Sequence, residues 1–346
     1  MVREFELSVP ANVLVAGEYA ITVDGGLGIA LAVEPRAAAQ VAPTDKGLRI
    51  VAVGSQGGKT HWPEQDAPFI AAVVRTFAEL TSFDPTALGA TIRVDTSELY
   101  DANTGRKLGL GSSATATVLI VAALYVLASG EPPQLEAVID TAVRAHRAAN
   151  GGRGSGYDVV TSTCGGTVLF CGGATPTWRS VDDLLHLDDE QLLLHRWKLR
   201  RSVASSGAVE RFENYFPAHS QAHTEFLTEN EAVIHSILAT RTWRKRFQTI
   251  GAARALGERI GAEIGVPAAL PVGACHQRDG WIAKASGAGN ELALVFSVPH
   301  SKRPIPSGTV PLPLAQQGLI IDGRPVARTA PELRSSRRAS ARHAAL

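Results

Sequence analysis

A run of glycine and serine residues stands directly before a long apolar segment. It reads Lys107-Leu108-Gly109-Leu110-Gly111-Ser112-Ser113-Ala114, and the apolar segment continues to residue 128. Glycines let the backbone turn tightly and let a ligand approach closely, while serines are able to cap a helix start. The unpaired N–H groups and the dipole of a helix N-terminus favour an anion. We therefore expect a phosphate site here, although a capped core helix after a glycine turn has the same pattern. The spacing of a Walker A loop is absent.

A second glycine-rich segment carries a single carboxylate. It runs Gly152-Arg153-Gly154-Ser155-Gly156-Tyr157-Asp158, and it follows a predicted amphipathic helix over 135–149 that stops at Asn150-Gly151-Gly152. Glycines leave space beside phosphate groups, and one carboxylate at that place is able to take or orient a proton. In the alternative interpretation, Asp158 merely caps the segment that follows it.

Together these segments resemble motifs of the GHMP kinases, which phosphorylate small molecules such as galactose, homoserine, mevalonate and phosphomevalonate. Residues 109–113 are similar to the family's phosphate-binding motif, and Lys107 resembles the version found in phosphomevalonate kinases. The Asp158 segment is similar to Gly-x-Gly-Ser-Gly-x-Asp-Val of those enzymes. Residues 10–20, with Glu18 and Tyr19, resemble the first family motif, and residues 281–292 resemble the third.

The resemblance implies a role for each matching residue. It makes Asp158 and Lys107 catalytic, with Asp158 facing the nucleophilic oxygen and Lys107 neutralising charge on the transferred group. It implies ATP as cofactor, with its phosphates held by Gly109, Leu110, Gly111, Ser112, Ser113 and Ala114, and Mg²⁺ near Ser112 or Ser113. It implies substrate contacts from Asn12, Glu18, Tyr19, Ser155, Gly156, Ser205, Ser206, Gly287, Ala288 and Gly289.

Three departures from the family pattern bear on the activity. Asn12 stands where many relatives carry lysine, and Asn290 with Glu291 replaces the last glycines and the aspartate of the third motif. Arg147 stands where mevalonate kinases carry a glutamate that binds magnesium. Arg147 points away from mevalonate kinase, and the resemblance favours phosphorylation of (R)-5-phosphomevalonate by ATP. Asn12 and the altered third motif instead favour a catalytically silent relative. The alternatives are another kinase of the family that acts on an alcohol, such as mevalonate kinase, and a catalytically silent ligand-binding relative.

The composition and the N-terminal sequence indicate which partners and which compartment to expect. The chain has 346 residues and a formal net charge of +1, so no basic field indicates nucleic acid. Its three cysteines are expected to be buried thiols in a reducing cytoplasm, and the N-terminus lacks the apolar core of a signal peptide. The apolar segment 114–128 is expected to be a core helix rather than a membrane span. We expect no membrane partner, and a monomer or homodimer.

The resemblance implies a two-domain α+β fold of the GHMP kinase type. The first domain, 1–187, would be like domain 2 of ribosomal protein S5; the second, 188–325, would be ferredoxin-like. Residues 326–346 are expected to be a disordered tail. The sequence pattern predicts helices over 68–80, 218–240 and 250–264, a hairpin turn at 54–59, and a substrate-contacting loop over 200–208. It predicts strands over 5–10 (an edge strand), 13–16, 27–33, 37–43, 48–53, 91–96, 164–170, 192–199, 292–298 and 318–322. His219, His223 and His235 are expected at the surface.

Overall fold

A computed structural model gives the architecture of the chain. It describes residues 3–199, 205–267, 270, 273, 275–288 and 291–327. The strands in this part of the chain are β1 (Phe5–Ala16), β2 (Leu27–Pro43), β3 (Arg49–Val53), β4 (Lys59–Trp62), β5 (Ala90–Asp95), β6 (Thr167–Cys171), β7 (Thr177–Val181), β8 (Leu193–Lys198), β9 (Cys275–His276), β10 (Trp281–Ser286), β11 (Leu292–Ser297), β12 (Val310–Pro311), β13 (Ile320–Ile321) and β14 (Arg324–Pro325). The α-helices are α1 (Pro68–Thr81), α2 (Ser112–Ser129), α3 (Leu135–Ala149), α4 (Tyr157–Cys164), α5 (Ser205–Tyr215), α6 (Gln221–Ala239) and α7 (Trp243–Glu263).

The larger sheet is built around two long antiparallel strands. Its order is β14-β13-β1-β2-β5-β3-β4, and β6 and β7 continue from β2. Residues 5–10 were expected at an edge, and this prediction is wrong because β13 pairs with β1 at Leu7 and Ser8. The predicted strands 27–33 and 37–43 are one strand, β2, whose register with β1 shifts beside Pro10. A bulge lets a strand bend without ending, so the proline there does not interrupt it.

Helices α2 and α4 pack on this sheet, α1 and α3 pack against α2, and α2 is the central core helix. Of the described helices, only α2 is long and apolar enough to cross a membrane, and most of it is buried inside the fold. The prediction of a core helix is therefore confirmed. Helix α1 begins at Pro68 as expected, and Leu80, near its end, is 40% exposed. Cys164 ends α4 instead of starting a strand, because Gly165 and Gly166 break the backbone before β6.

The smaller sheet has the order β12-β8-β11-β10-β9. Helix α7 packs on β10 and α6 on α7, and β10 also contacts β1 of the larger sheet. Helix α7 starts at Trp243, seven residues before the predicted start, and α5 is a helix where a loop was expected. His219 and His235 are exposed as predicted, but His223 is buried beside the ring of Phe212.

The last described segment returns to the larger sheet, where β13 and β14 extend it beyond β1. The division of the chain at residue 187 stays a prediction. Of the predicted tail, 326–346, the part from residue 328 onward lies outside the described residues, as do residues 200–204 of the predicted loop. The α+β fold class is confirmed by the two sheets and their helical layers.

Candidate active site

The glycine-serine segment forms an open helix N-terminus. Gly109 and Gly111 have φ of 74° and 76°, a left-handed conformation that favours glycine, and α2 starts at Ser112. In the alternative interpretation a serine would cap this helix, but within the described residues no side chain does so. Ser112 is instead buried, and Ser113 turns to another partner. The amides of the first turn therefore remain available for an anion, which fits the phosphates of a nucleotide.

Asn12 supports this loop from beneath. Its side chain is buried, its Nδ2 donates to Ser162 Oγ at 2.9 Å, and its backbone N–H donates to the Leu110 carbonyl at 3.2 Å. A Cβ on Gly111 would lie 2.1 Å from Nδ2 of Asn12. The structure thus places Asn12 behind the phosphate loop, with its amide committed to helix α4.

His146 connects the loop to the predicted catalytic carboxylate. Its Nε2 lies 3.1 Å from Ser113 Oγ, and its Nδ1 lies 4.0 Å from an oxygen of Asp158. The imidazole is buried, and the ring of Phe69 meets it edge-on at 6.2 Å. His146 is not among the residues that the sequence motifs indicated. The available signal was a histidine on the buried face of an amphipathic helix, one residue before Arg147.

Arg147 holds the glycine-rich segment that delivers Asp158. Its guanidinium donates to four backbone carbonyls at 2.7–2.8 Å, those of Gly154, Ser155, Gly173 and Ala174. Burial lowers the pKa of Arg147, and the carboxylate of Asp158 opposes that shift. Gly156 then adopts a φ of 90° against the side chain of Val143, and Asp158 follows in the first turn of α4. Arg147 is a structural clamp and not a metal ligand, since a guanidinium has no acceptor atom.

Glu18 and Tyr19 lie in the turn after β1 and are both committed to contacts. Glu18 forms a buried ion pair with Lys284 of β10, whose Nζ also donates to the Ala285 carbonyl at 2.9 Å. The ring of Tyr19 stacks on Phe212 of α5 at 5.3 Å, and burial, reinforced by Glu18, raises the pKa of its phenol. Lys284 was missed as a site residue, although it stands at the head of the third motif.

The third motif forms the expected hairpin between β10 and β11. Ser286 Oγ donates to the Leu14 carbonyl at 2.8 Å, which fastens the hairpin to β1. Gly287 has a φ of 68° with open space where a Cβ would lie. Ala288 packs against the buried apolar cluster that contains Tyr19 and Phe212. Gly289 and Asn290 lie outside the described residues. Glu291, another residue we missed, crosses to the phosphate loop, where a Cβ on Gly109 would meet its Oε2 at 2.9 Å.

The charges of three carboxylates act on the phenol of Tyr157. Burial raises the pKa of Tyr157, and Asp158, Glu18 and Glu291 raise it further. Burial also raises the pKa of Glu291, while the charge of the exposed Lys107 opposes that shift. These interactions place all four sequence motifs around one region between the two sheets.

Ser205 and Ser206 form the start of α5. This helix lies at the same region, because Glu210 pairs with Arg153 at 3.4 Å and Phe212 stacks on Tyr19. The described residues contain no cluster of three or more histidine, cysteine or acidic side chains able to bind a metal. A magnesium ion at this site would therefore depend on one or two side chains and on substrate phosphates, which is a common arrangement for Mg²⁺.

The comparisons with known proteins find similar proteins of one kind. Residues 69–166 match the family model described as "GHMP kinases N terminal domain". Over 163 residues the chain is 29% identical to a phosphomevalonate kinase of Saccharolobus solfataricus, covering 47% of this chain and 48% of that protein. It is 31% identical over 163 residues to a mevalonate kinase of Archaeoglobus fulgidus, covering 47% and 51%. These matches span about half the length of the curated relatives.

The fold comparison covers much more of the chain. A structure of Streptococcus pneumoniae phosphomevalonate kinase, in complex with phosphomevalonate and AMPPNP, aligns with a TM-score of 0.68. The alignment covers 86% of this chain and 92% of that chain at 18% sequence identity. At this identity the likeness concerns the fold.

Proposed function

We propose that the chain converts (R)-5-phosphomevalonate and ATP to (R)-5-diphosphomevalonate and ADP, because residues 69–166 match the family model of the GHMP kinase N-terminal domain and the fold is that of the GHMP kinases. One observation carries the proposal: the open N-terminus of α2 meets Asp158 through Ser113 and His146. An anion site and a carboxylate thus lie one side chain apart. Phosphoryl transfer depends mainly on such positioning and on electrostatic stabilisation.

Each side chain then has a defined task. The amides of residues 109–114 hold the ATP phosphates, and Lys107 neutralises charge that develops on the transferred group. Asp158 orients the acceptor or takes its proton. Mg²⁺, when bound near Ser112 or Ser113, supplies further neutralisation of phosphate charge. The substrate lies against Glu18, Tyr19, Ser155, Gly156, Ser205, Ser206 and residues 287–289.

Two positions favour a phosphorylated acceptor over an alcohol. Arg147, at the place of the magnesium-binding glutamate of mevalonate kinases, is committed to four carbonyls and binds no metal. Asn12, at the place of the usual lysine, is buried and hydrogen-bonded to Ser162. A phosphate acceptor is already largely ionised near neutral pH and needs less activation than a hydroxyl group. The absence of a glutamate at position 147 and of a lysine at position 12 is therefore better tolerated when phosphomevalonate is the acceptor.

A specific observation supports the alternative of a silent ligand-binding protein. The Glu291 carboxylate lies against Gly109, where an approaching phosphate would meet its negative charge. Beside the phosphate loop, position 12 is asparagine, so no lysine there compensates for the negative charge of Glu291.

An ADP-release assay decides between these functions. The purified chain is tested with ATP, Mg²⁺ and, in turn, mevalonate, 5-phosphomevalonate, homoserine and galactose, with Asp158→Asn as the control of similar size. Turnover that is highest with 5-phosphomevalonate and falls by about a hundredfold or more in the control supports the proposal. Highest turnover with mevalonate would establish the alcohol kinase. Nucleotide binding without ADP release from any acceptor would establish the silent binding protein.

A further inference from the structure

His146 stands between two residues of the proposed site and has one nitrogen for each. Nε2 lies 3.1 Å from Ser113 Oγ, while Nδ1 faces Asp158 at 4.0 Å. Nδ1 is buried and has no hydrogen-bond partner within the described parts of the chain. The contact with Asp158 is about 1 Å longer than a hydrogen bond, and catalytic hydrogen bonds are often long before the substrate binds.

For a neutral His146 beside an ionised Asp158, the hydrogen-bonding capacity of this row of groups favours one tautomer. An ionised Asp158 only accepts hydrogen bonds, so a contact with Nδ1 that tightens to hydrogen-bond distance needs the proton on Nδ1. In a neutral imidazole Nε2 then has the lone pair and accepts, so the hydroxyl of Ser113 donates to it. A hydroxyl has a single proton. Once that proton points to His146, both lone pairs of Ser113 Oγ are free to turn toward the phosphate loop.

We propose that His146 is a positioning residue that aims the lone pairs of Ser113 at the Mg²⁺ of a bound nucleotide and connects this serine to Asp158. The proposal rests on the proposed function and deepens it, because it chooses between the two candidate serines. Ser112 is buried with 7% of its surface exposed, whereas Ser113 is half-buried at the start of α2. A hydroxyl oxygen with free lone pairs is a suitable ligand for Mg²⁺.

The test measures binding of the ATP analogue AMPPNP by calorimetry, once with Mg²⁺ and once with EDTA. His146→Phe keeps a ring against Phe69 and removes both nitrogens. His146→Gln keeps an amide that is able to accept from Ser113. Thr141 lies on the same helix as His146 but away from the loop, and its hydroxyl is hydrogen-bonded to Tyr125 at 2.7 Å. Thr141→Val removes this bond and is the matched control.

In Mg²⁺ we expect His146→Phe to weaken AMPPNP binding by about tenfold, because loss of an orienting partner commonly costs this much in metal sites. In EDTA its affinity should match wild type. His146→Gln should recover most of the loss, and Thr141→Val should change neither affinity. In a Ser113→Ala background, His146→Phe should have no further effect on Mg²⁺-dependent binding.

Equal losses in Mg²⁺ and EDTA, or additive losses with Ser113→Ala, would overturn the proposal. If His146→Phe fails to fold, Ser113→Ala alone decides: it must remove the Mg²⁺-dependent part of the affinity, and unchanged Mg²⁺ dependence overturns the proposal. Failure of the proposed function is observed separately, as absence of ADP release from the wild-type protein.

Discussion

Helix α2 has a left-handed glycine at each end, and the two positions differ in what surrounds them. Gly111 precedes the helix with a φ of 76°, and Gly130 follows it with a φ of 77°. An alanine Cβ at position 130 would meet no atom within 4 Å. At position 111 it would lie 2.1 Å from Nδ2 and 2.8 Å from Cγ of Asn12. Alanine substitution of these two glycines therefore separates backbone strain from a steric clash.

The expected magnitudes follow from these contacts. Left-handed backbone costs a residue with a Cβ about 1–2 kcal/mol, which applies equally at both positions. The clash at Gly111 also forces the amide of Asn12 to move, which breaks its buried hydrogen bond to Ser162. An unsatisfied buried polar group costs about 1–3 kcal/mol. Gly111→Ala should thus destabilise the protein by about 1–3 kcal/mol more than Gly130→Ala, and it should weaken nucleotide binding because the loop is displaced.

Urea unfolding of both variants gives the two free energies. The double variant Asn12→Ala/Gly111→Ala provides the decisive comparison, since without the Asn12 amide the three nearest contacts of the alanine Cβ at position 111 are gone. Relative to Asn12→Ala alone, Gly111→Ala should then cost no more than Gly130→Ala does. If Gly111→Ala and Gly130→Ala lower stability equally in the wild-type background, the reasoning from the Asn12 contact is refuted.

Three further predictions concern charged groups of the site. Lys107→Met should lower turnover by about a hundredfold while the nucleotide dissociation constant changes far less, because a preorganised cation acts mainly on the transition state. Arg106→Met, at the exposed neighbouring position, is the control. Equal falls in rate and affinity would contradict this role of Lys107. Lys284→Met should destabilise the fold by about 3–5 kcal/mol, because it leaves Glu18 as an unpaired buried charge. Adding Glu18→Gln should restore part of that loss. An unchanged melting temperature in the single variant would refute the importance of the Lys284–Glu18 ion pair for stability. Burial raises the pKa of Glu291 above its unfolded value, so its ionised form opposes folding and stability falls as pH rises through the folded pKa. Glu291→Gln should accordingly raise the melting temperature at about pH 8, with a gain that shrinks toward about pH 4; a gain independent of pH would show that its carboxylate charge is not the cause.

Local chemistry explains which parts of this protein could be predicted. Helix α3 begins and ends where the pattern predicts, because an amphipathic repeat and a terminal glycine pair depend only on nearby residues. Both glycine-rich segments adopt left-handed turns before helices, since glycine alone takes up that backbone without strain. The order of the motifs along the chain, and the resemblance that this order carries, could therefore be inferred from sequence.

The contacts of the motif side chains depend on the tertiary structure. The sequence does not show that Asn12 bonds Ser162, that Glu18 pairs with Lys284, or that Glu291 reaches Gly109. These partners lie more than a hundred residues apart, and periodicity indicates that a side chain is buried without indicating what it is buried against. For the same reason the strand over residues 5–10 was misplaced at an edge, because its neighbour, β13, comes from the far end of the chain. The sequence by itself determined the local turns and helices that carry the chemistry; packing between distant segments decided which side chains remain free to perform it.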